Sequence, residues 1–538
     1  MISTPVSWIA PAPRDARANQ SASVMRVQAH RFAWLVSLAI SCAAGVVLAF
    51  AHEYEWLFPL AMIAIAVFLG IASLTRRPGF GFALGLAFGI SCFGAGLPWL
   101  FDLLDRVNAP LAATLLPLCL IGALSVPTAV VGACIAGARP VRAARLLLVA
   151  PALWIGFDWI RHQGEAAFPW LSVGYTQIGL SPIAGYAPVG GVLLVGFITV
   201  LTGALLAIAA VRRDLRTRAI VGACAIFALG ALLREAPWTT PAATPLRIAA
   251  LQGNVGAEAK FDSAALSRTL ARYESLIRSS QADVMLLPES ALPLPAHAIG
   301  GYLSALRRHA RQTATDVLVG AYEIEPATGR RYSSAISLGV SGTQVYRKRQ
   351  LVPFGDFVPW GAALYESVQR VPFADTARGA AQQLLPVLTS GRVAIAICYE
   401  DVFGHRMRAD AVASGWIANL SNDGWGGSRQ VQRQHARIAQ ARAVEFGRPM
   451  MRAADTGQSG LIDERGHWVD SLPLNEIGAL EVEVTPRTGV TPYARWGDRV
   501  ALALCALALI GAVFNRVSLR DAYVTTETQA WHPTSSMV

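Results

Sequence analysis

The sequence predicts a membrane-embedded helical bundle of about eight spans, with an α/β domain inserted before the last span. Three observations carry that expectation. Of 538 residues, 54% are hydrophobic and only 15% are charged, against about 25% charged in an ordinary soluble domain. That balance excludes a plain soluble globule, and it excludes disorder, which needs low hydrophobicity and high charge. Apolar runs fill the first 234 residues and return once near the C-terminus. Between them, short β-rich runs alternate with amphipathic stretches, the pattern of an α/β fold.

The spans fall at 33–51, 56–74, 80–101, 109–137, 145–161, 184–211, 219–233 and 499–515. Crossing a bilayer takes about 20 apolar residues, so 219–233 and 499–515 are short. They need Arg218, Arg234, Arg499 and Arg516 to snorkel at their ends. The alternative for both is a buried core helix.

Arginines then orient the bundle. They cluster before the first span (Arg14, Arg17, Arg26, Arg31), after the second (Arg76, Arg77), after the fourth (Arg139, Arg142, Arg145), after the sixth (Arg212, Arg213, Arg216, Arg218) and after the last (Arg516, Arg520). The intervening loops hold few. By the positive-inside rule, residues 1–32 and 516–538 are cytoplasmic and 235–498 lie outside. Tyr54, Trp56, Trp99, Trp170, Trp238 and Trp496 fall on the outer side, as an aromatic belt would. The net charge of +11 therefore orients helices and implies no nucleic-acid partner. Ala49-Phe50-Ala51 resembles a signal-peptidase site, but the long leader and the many later spans favour an uncleaved first helix.

Residues 235–246, rich in Pro, Thr and Ala, read as a linker between the bundle (33–234) and a domain over 247–498. β-rich runs in that domain are Ile248–Gln252, Val284–Leu287, Val317–Gly320, Val393–Ile397, Trp416–Leu420 and Met450–Arg452; helical stretches are Ala264–Ser279, Tyr302–Thr313 and Gln430–Phe446.

Three residues stand out chemically. Cys398 is the only cysteine of the outer domain, the other six lying in predicted spans. A single thiol in an oxidising compartment is either buried and inert or reactive, and Cys398 closes a strand, where sites of open α/β sheets gather. The chain carries 46 Lys plus Arg, yet Lys260 and Lys348 are its only lysines. Lysine is a compact charge with a movable pKa and arginine a fixed fork, so Lys348 in Tyr346-Arg347-Lys348-Arg349 suits oxyanion chemistry, while Lys260 in a polar loop reads as solvated surface. Glu289, in Leu286-Leu287-Pro288-Glu289-Ser290, ends an apolar strand. It is either a partly desolvated general base or a capping or surface carboxylate. The histidines show no metal-ligand spacing, and His435 reads as helix surface. Asp158, near the end of a span, is a slight pointer to a transporter.

Glu289, Lys348 and Cys398, in that order and spacing, resemble the Glu-Lys-Cys triad of the nitrilase (carbon–nitrogen hydrolase) superfamily. A nitrilase-like domain between a bundle and one final span resembles the apolipoprotein N-acyltransferases. Leu351-Val352-Pro353-Phe354-Gly355 is similar to that family's LVPFGE motif, and Phe168-Pro169-Trp170-Leu171 with Gly174-Tyr175-Thr176-Gln177 to its FPWL and GYSQ segments. Gly447-Arg448-Pro449 and Thr491-Pro492-Tyr493-Ala494-Arg495 fit as well. Departures are Asp356 where the family has Glu, Ser421-Asn422-Asp423-Gly424-Trp425-Gly426-Gly427 against SNDAWFG, and Asp455 in place of Asn.

The resemblance implies an αββα sandwich for 247–498. It implies Glu289 as base, Lys348 as oxyanion donor and Cys398 as nucleophile, supported by Asp356, Tyr399 and Glu400. No cofactor or metal is needed. The implied reaction moves an acyl chain from a phospholipid, through a thioester on Cys398, to the N-terminal amine of a diacylated apolipoprotein. The implied location is the inner membrane, with the catalytic domain in the periplasm. A membrane-anchored amidase of the same superfamily, with water as acceptor, is the alternative.

Overall fold

The computed structural model describes residues 15–105, 110–137, 143–256, 263–357 and 375–529. Lys260, Arg14, Arg106, Arg139 and Arg142 lie outside the described residues. The N-terminal half is helical: Asp15–Glu53, Phe58–Leu74, Pro78–Gly96, Trp99–Asp105, Pro110–Ile135, Ala150–Ile160, Ala187–Val211 and Arg216–Glu235. Among the described residues, six helical segments are long and apolar enough to cross a membrane. The last helix, Arg499–Gln529, carries a shorter apolar stretch at Arg499–Asn515.

Two expected spans differ in detail. The run at 80–101 is broken after Gly96, because Pro98 has no amide to continue the ladder. The run at 145–161 begins with a π-turn at Arg145–Val149 and continues as Ala150–Ile160. The two short runs are not core helices. Around 219–233 the helix extends to 20 residues, and Ile220, Val221, Leu229 and Leu232 are exposed along it. Leu507, Ile510, Val513 and Phe514 are likewise exposed on the final helix. Exposed apolar faces of that length suit lipid and not water. Asp158 is accounted for locally: it pairs with Arg161 at 2.8 Å, one turn along.

Among the described residues the second half holds two large sheets, beside the two-stranded pairs Thr240–Pro241 with Arg487–Thr488 and Val387–Leu388 with Gly391–Arg392. One has the strand order Gly478–Val484, Leu246–Gln252, Val284–Leu286, Asp316–Ile324, Arg331–Gly339, Val345–Arg347, with Leu292–Pro295 beside Asp316–Ile324. Its three central strands are parallel. The other has the order Ala394–Ile397, Ile417–Ser421, Met450–Ala454, Gly460–Ile462, Trp468–Ser471, parallel in its first three strands. Ile248, Leu286, Leu318 and Tyr346 from the first sheet pack against Ile395, Trp416, Ala418 and Met451 from the second in one buried layer. The helices Ser263–Ser279 and Gly300–Gln312 cover the outer face of the first sheet. Gly404–Val412 and Arg429–Phe446 cover that of the second. This is a four-layer αββα sandwich.

The helix Arg429–Phe446 joins the halves. One side of it packs on the second sheet, and the rest lies across the ends of the membrane helices. Gln434 takes the indole N–H groups of Trp99 and Trp170 at 3.2 and 2.7 Å and donates to the Gly96 carbonyl. Arg433 pairs with Glu53 at 2.7 Å, and Arg437 donates to the Ile178 carbonyl. Gly191, at φ +70°, interrupts the helix Ala187–Val211 and frees the Val192 amide, which donates to Glu445 at 2.7 Å. Trp99 and Trp170, expected in the lipid-facing belt, are instead buried in this junction. Their indole N–H groups find protein acceptors there. Trp56 and Trp496 do remain exposed.

Candidate active site

The structure brings Glu289, Lys348 and Cys398 together at the ends of three strands. Glu289 follows Val284–Leu286, Lys348 follows Val345–Arg347, and Cys398 follows Ala394–Ile397. Lys348 Nζ lies 2.8 Å from Glu289 Oε1 and 2.9 Å from Asp356 Oδ2, and its side chain is 1% exposed. Glu289 is also buried, with the Ser333 hydroxyl 3.4 Å from Oε1. The thiol of Cys398 points at the Asn422 carbonyl, 4.0 Å away.

Backbone strain concentrates here. Cys398 has φ +49°, Ser290 beside Glu289 has φ +52°, and Phe354 in the Asp356 loop has φ +61°. Non-glycine residues enter the left-handed region at a cost of roughly 1–3 kcal/mol each. At Cys398, hydrogen bonds hold it there. The buried Glu400 carboxylate accepts the Ile397 amide at 2.8 Å, the Arg349 amide at 2.7 Å and the Tyr346 hydroxyl at 3.2 Å. One carboxylate thus ties the strand bearing the lysine to the turn bearing the cysteine. Burial raises the Glu400 pKa, against the backbone hydrogen bonds and Arg349.

Electrostatics divides the roles. Burial, and then the charge of Glu289, push the Cys398 thiol well above its ordinary range, while Lys348 pulls it down. That direction favours the neutral thiol. Burial opposes the charge of Lys348, yet Asp356, Glu289 and Cys398 hold its pKa well above that of free lysine. The ammonium is therefore permanent and can stabilise an oxyanion.

Tyr399, beside Cys398 in the chain, is buried against the membrane half. Its hydroxyl donates to the Ala167 carbonyl at 2.8 Å, and its ring stacks on Trp170 with centroids 6.4 Å apart. Both partners belong to the loop between Ala150–Ile160 and Ala187–Val211. Arg161 holds that loop with hydrogen bonds to the carbonyls of Phe168 and Trp170.

His435, expected on a helix surface, is buried close to Cys398. Its Nδ1 lies 2.7 Å from Asp423 Oδ1 and its Nε2 2.8 Å from Asp401 Oδ1. Arg452, on the strand Met450–Ala454, donates to Asp423 Oδ2 at 2.8 Å and meets Asp401 Oδ2 at 3.4 Å. Burial opposes the imidazolium, yet the two carboxylates raise its pKa to about 9. Burial alone would raise Asp423, but Arg452 and His435 outweigh it and lower its pKa. Asp401 sits in the turn of Cys398 and Asp423 beside Asn422, so the two cations clamp together the loops on either side of the sulfur. Ligand atoms of Cys398, Asp423 and His435 lie within 4.8 Å of one another, close enough for a metal. Both imidazole nitrogens, however, already face carboxylates. The signal that could have found this cluster is polar: Asp401, Asp423, His435 and Arg452 all stand beside apolar strands or Cys398.

The sequence departures have local explanations. A Cβ at Gly424 would come 2.9 Å from the Thr456 hydroxyl, and one at Gly426 would come 2.5 Å from Val431. Asp455 accepts from the Val255 amide at 3.1 Å and the Tyr273 hydroxyl at 2.9 Å, bracing the first sheet against the second.

Residues 44–205 match the family described as apolipoprotein N-acyltransferase N-terminal domain, and residues 247–493 match carbon-nitrogen hydrolase. The apolipoprotein N-acyltransferase of Nitrosomonas europaea is 35% identical over 443 residues, covering 81% of this chain and 88% of the relative. That of Chromobacterium violaceum is 35% identical over 459 residues, covering 82% and 86%. That of Methylococcus capsulatus is 32% identical over 491 residues, covering 89% and 96%. With a membrane bundle docked on a nitrilase-like sandwich and relatives matching along most of its length, the chain belongs to the apolipoprotein N-acyltransferase family.

Proposed function

We propose that this chain moves an acyl chain from a phospholipid to the N-terminal amine of a diacylated apolipoprotein in two steps at Cys398. In the first, Glu289 takes the thiol proton as sulfur attacks the sn-1 ester carbonyl of the lipid. The carbonyl oxygen becomes an oxyanion facing the Lys348 ammonium. Collapse expels the glycerol oxygen, which receives the proton from Glu289, so lysophospholipid leaves and a thioester remains. In the second, the amine of the acceptor's lipidated cysteine attacks the thioester, Glu289 removes its proton, and the thiol is restored as the amide forms.

The observation that carries this reading is the buried Glu289–Lys348–Asp356 arrangement beside a neutral thiol in strained backbone. Asp356 and Glu400 are assigned the support of the lysine and of the cysteine turn. Tyr399 is assigned the coupling of that turn to the membrane loop. Both substrates carry acyl chains held in a bilayer, so the centre has to sit at membrane height, and helices docked beneath the sandwich meet that need. The arginine pattern supports an inner-membrane placement with 247–498 in the periplasm.

Incubating the purified protein with phospholipid should leave an acyl adduct on Cys398, visible by mass spectrometry, that a diacylated lipopeptide discharges as N-acylated product. Cys398→Ser should form no thioester. Discharge to free fatty acid with no N-acylated peptide would favour the amidase reading instead.

A further inference from the structure

A second group of cations lies on segments that adjoin the Lys348 segment, with Gly379 N donating to the Lys348 carbonyl at 2.9 Å and Arg406 meeting Gln350, and the chemistry above does not use it. Arg406, in the first turn of the helix Gly404–Val412, lies over the Phe403 ring with its guanidinium carbon 5.1 Å from the centroid. Arg378 lies over the Phe357 ring at 5.0 Å, next to Asp356. Partial burial, and then the charges of Arg378 and Arg349, depress the Arg406 pKa. Arg349 is satisfied by Asp410 and Glu400. Arg378 has Glu165 at 3.7 Å, but that carboxylate is 72% exposed and so contributes little. Arg406 makes no ion pair among the described residues. A cation in the first turn also opposes the helix dipole.

An independent observation comes from Gln350, two residues beyond Lys348. Its side chain is buried, 2% exposed, and its Oε1 accepts from the Arg406 guanidinium. Among the described residues its Nε2 has no partner. A buried donor left unmade costs stability, so this amide is waiting for an acceptor beside Arg406. An uncompensated guanidinium and a free amide N–H together describe a receptor for an oxyanion. Glu165, on a loop of the membrane half, sets this group at the rim where the sandwich meets the bundle.

We propose that Arg378, Arg406 and the Gln350 amide bind the phosphodiester of the donor glycerophospholipid and so place its sn-1 ester at Cys398. This rests on the reading of a phospholipid as acyl donor. Guanidinium forks fit phosphate oxygens, and the acceptor, a diacylated peptide amine, brings no such group. Selection of the donor by its phosphate would keep neutral diacylglycerol out of the first step.

The test compares two donors on the full chain in detergent micelles: a diacyl phosphatidylethanolamine and p-nitrophenyl palmitate, which has no phosphate. The ratio of their Cys398 acylation rates is the readout. In the Arg378→Gln/Arg406→Gln double variant this ratio should fall about 10- to 100-fold, the range expected on losing charge-assisted hydrogen bonds. Arg406→Lys, which keeps the charge, should give an intermediate ratio. An unchanged ratio, or equal losses with both donors, overturns the proposal. If the double variant does not fold, Arg406→Gln alone is read in the same way. Excess inorganic phosphate should leave the wild-type ratio unchanged; selective inhibition of the phospholipid reaction by it would overturn the lipid assignment. Wild-type protein acylated by the ester but never by phospholipid would instead sink the proposed function.

Discussion

Asp356 Oδ2 reaches Lys348 Nζ at 2.9 Å and takes the Val352 amide at 2.8 Å with the same oxygen. The family's usual glutamate is one methylene longer. Here a tight loop supplies the missing reach, closed by Asp356 N to the Val352 carbonyl at 2.9 Å and Phe354 N to the Phe357 carbonyl at 2.7 Å. Asp356→Asn should therefore slow single-turnover acylation of Cys398 by about 10- to 100-fold, the worth of a charged hydrogen bond. Asp356→Glu should keep most of the rate. Equal rates for wild type and Asp356→Asn would remove the carboxylate from the chemistry.

The thiol offers a sharper check, because Glu289 has two opposed effects on it. Its charge, second only to burial, raises the Cys398 pKa, yet it is the base assigned to take the proton. Glu289→Gln should lower the pH at which iodoacetamide alkylates Cys398, while abolishing acylation from phospholipid. Loss of both reactivities together would mean that the variant disturbs the site's shape and not its charge.

His435 should give the protein a basic limit of stability. Its pKa is raised from 6.5 to about 9 in the fold. The stabilisation is therefore complete below pH 6.5 and is lost as pH climbs through 9. It amounts to about 3 kcal/mol by linkage. The thermal midpoint in detergent should decline across that window, and acylation with it. His435→Gln should lower the midpoint at neutral pH and flatten the decline. A wild-type profile that is flat from 6.5 to 9 would contradict the charged state of this imidazole.

Tyr399→Phe should cost about 1 kcal/mol of stability, since it leaves the buried Ala167 carbonyl without its donor. If the contact couples the membrane loop to the cysteine turn, the acylation rate should fall as well. Unchanged acylation in a destabilised variant would make the tyrosine purely structural.

Much of this arrangement is written in residue type. Lys348 stands out because the chain otherwise uses arginine, and Cys398 because the remaining thiols sit in apolar runs. Six β-rich runs coincide with strands because both their faces are buried. The strand Arg331–Gly339 escapes such reading through its serines, and Gly478–Val484 through its alternating, half-exposed pattern. The larger miss is the burial of the helix Arg429–Phe446, a helix the sequence does announce at 430–446. Its sequence is dominated by Arg, Gln and Ala, the composition of a wetted surface helix, yet from Gln434 to Phe446 every residue is buried. Polar side chains are needed there because the helix meets carbonyls and carboxylates on both sides. No periodicity in one segment announces a second half of the molecule placed above it.

That helix has a practical corollary. Severed from the helices before residue 247, the soluble-looking half would present Arg433, Gln434, Arg437 and Glu445 to water without Glu53, the two indoles, the Ile178 carbonyl or the Val192 amide that now receive them. The bilayer anchor is thus a structural subunit of the catalyst rather than a tether, and truncation to 247–493 should yield an aggregating or inert fragment and not a free-standing hydrolase.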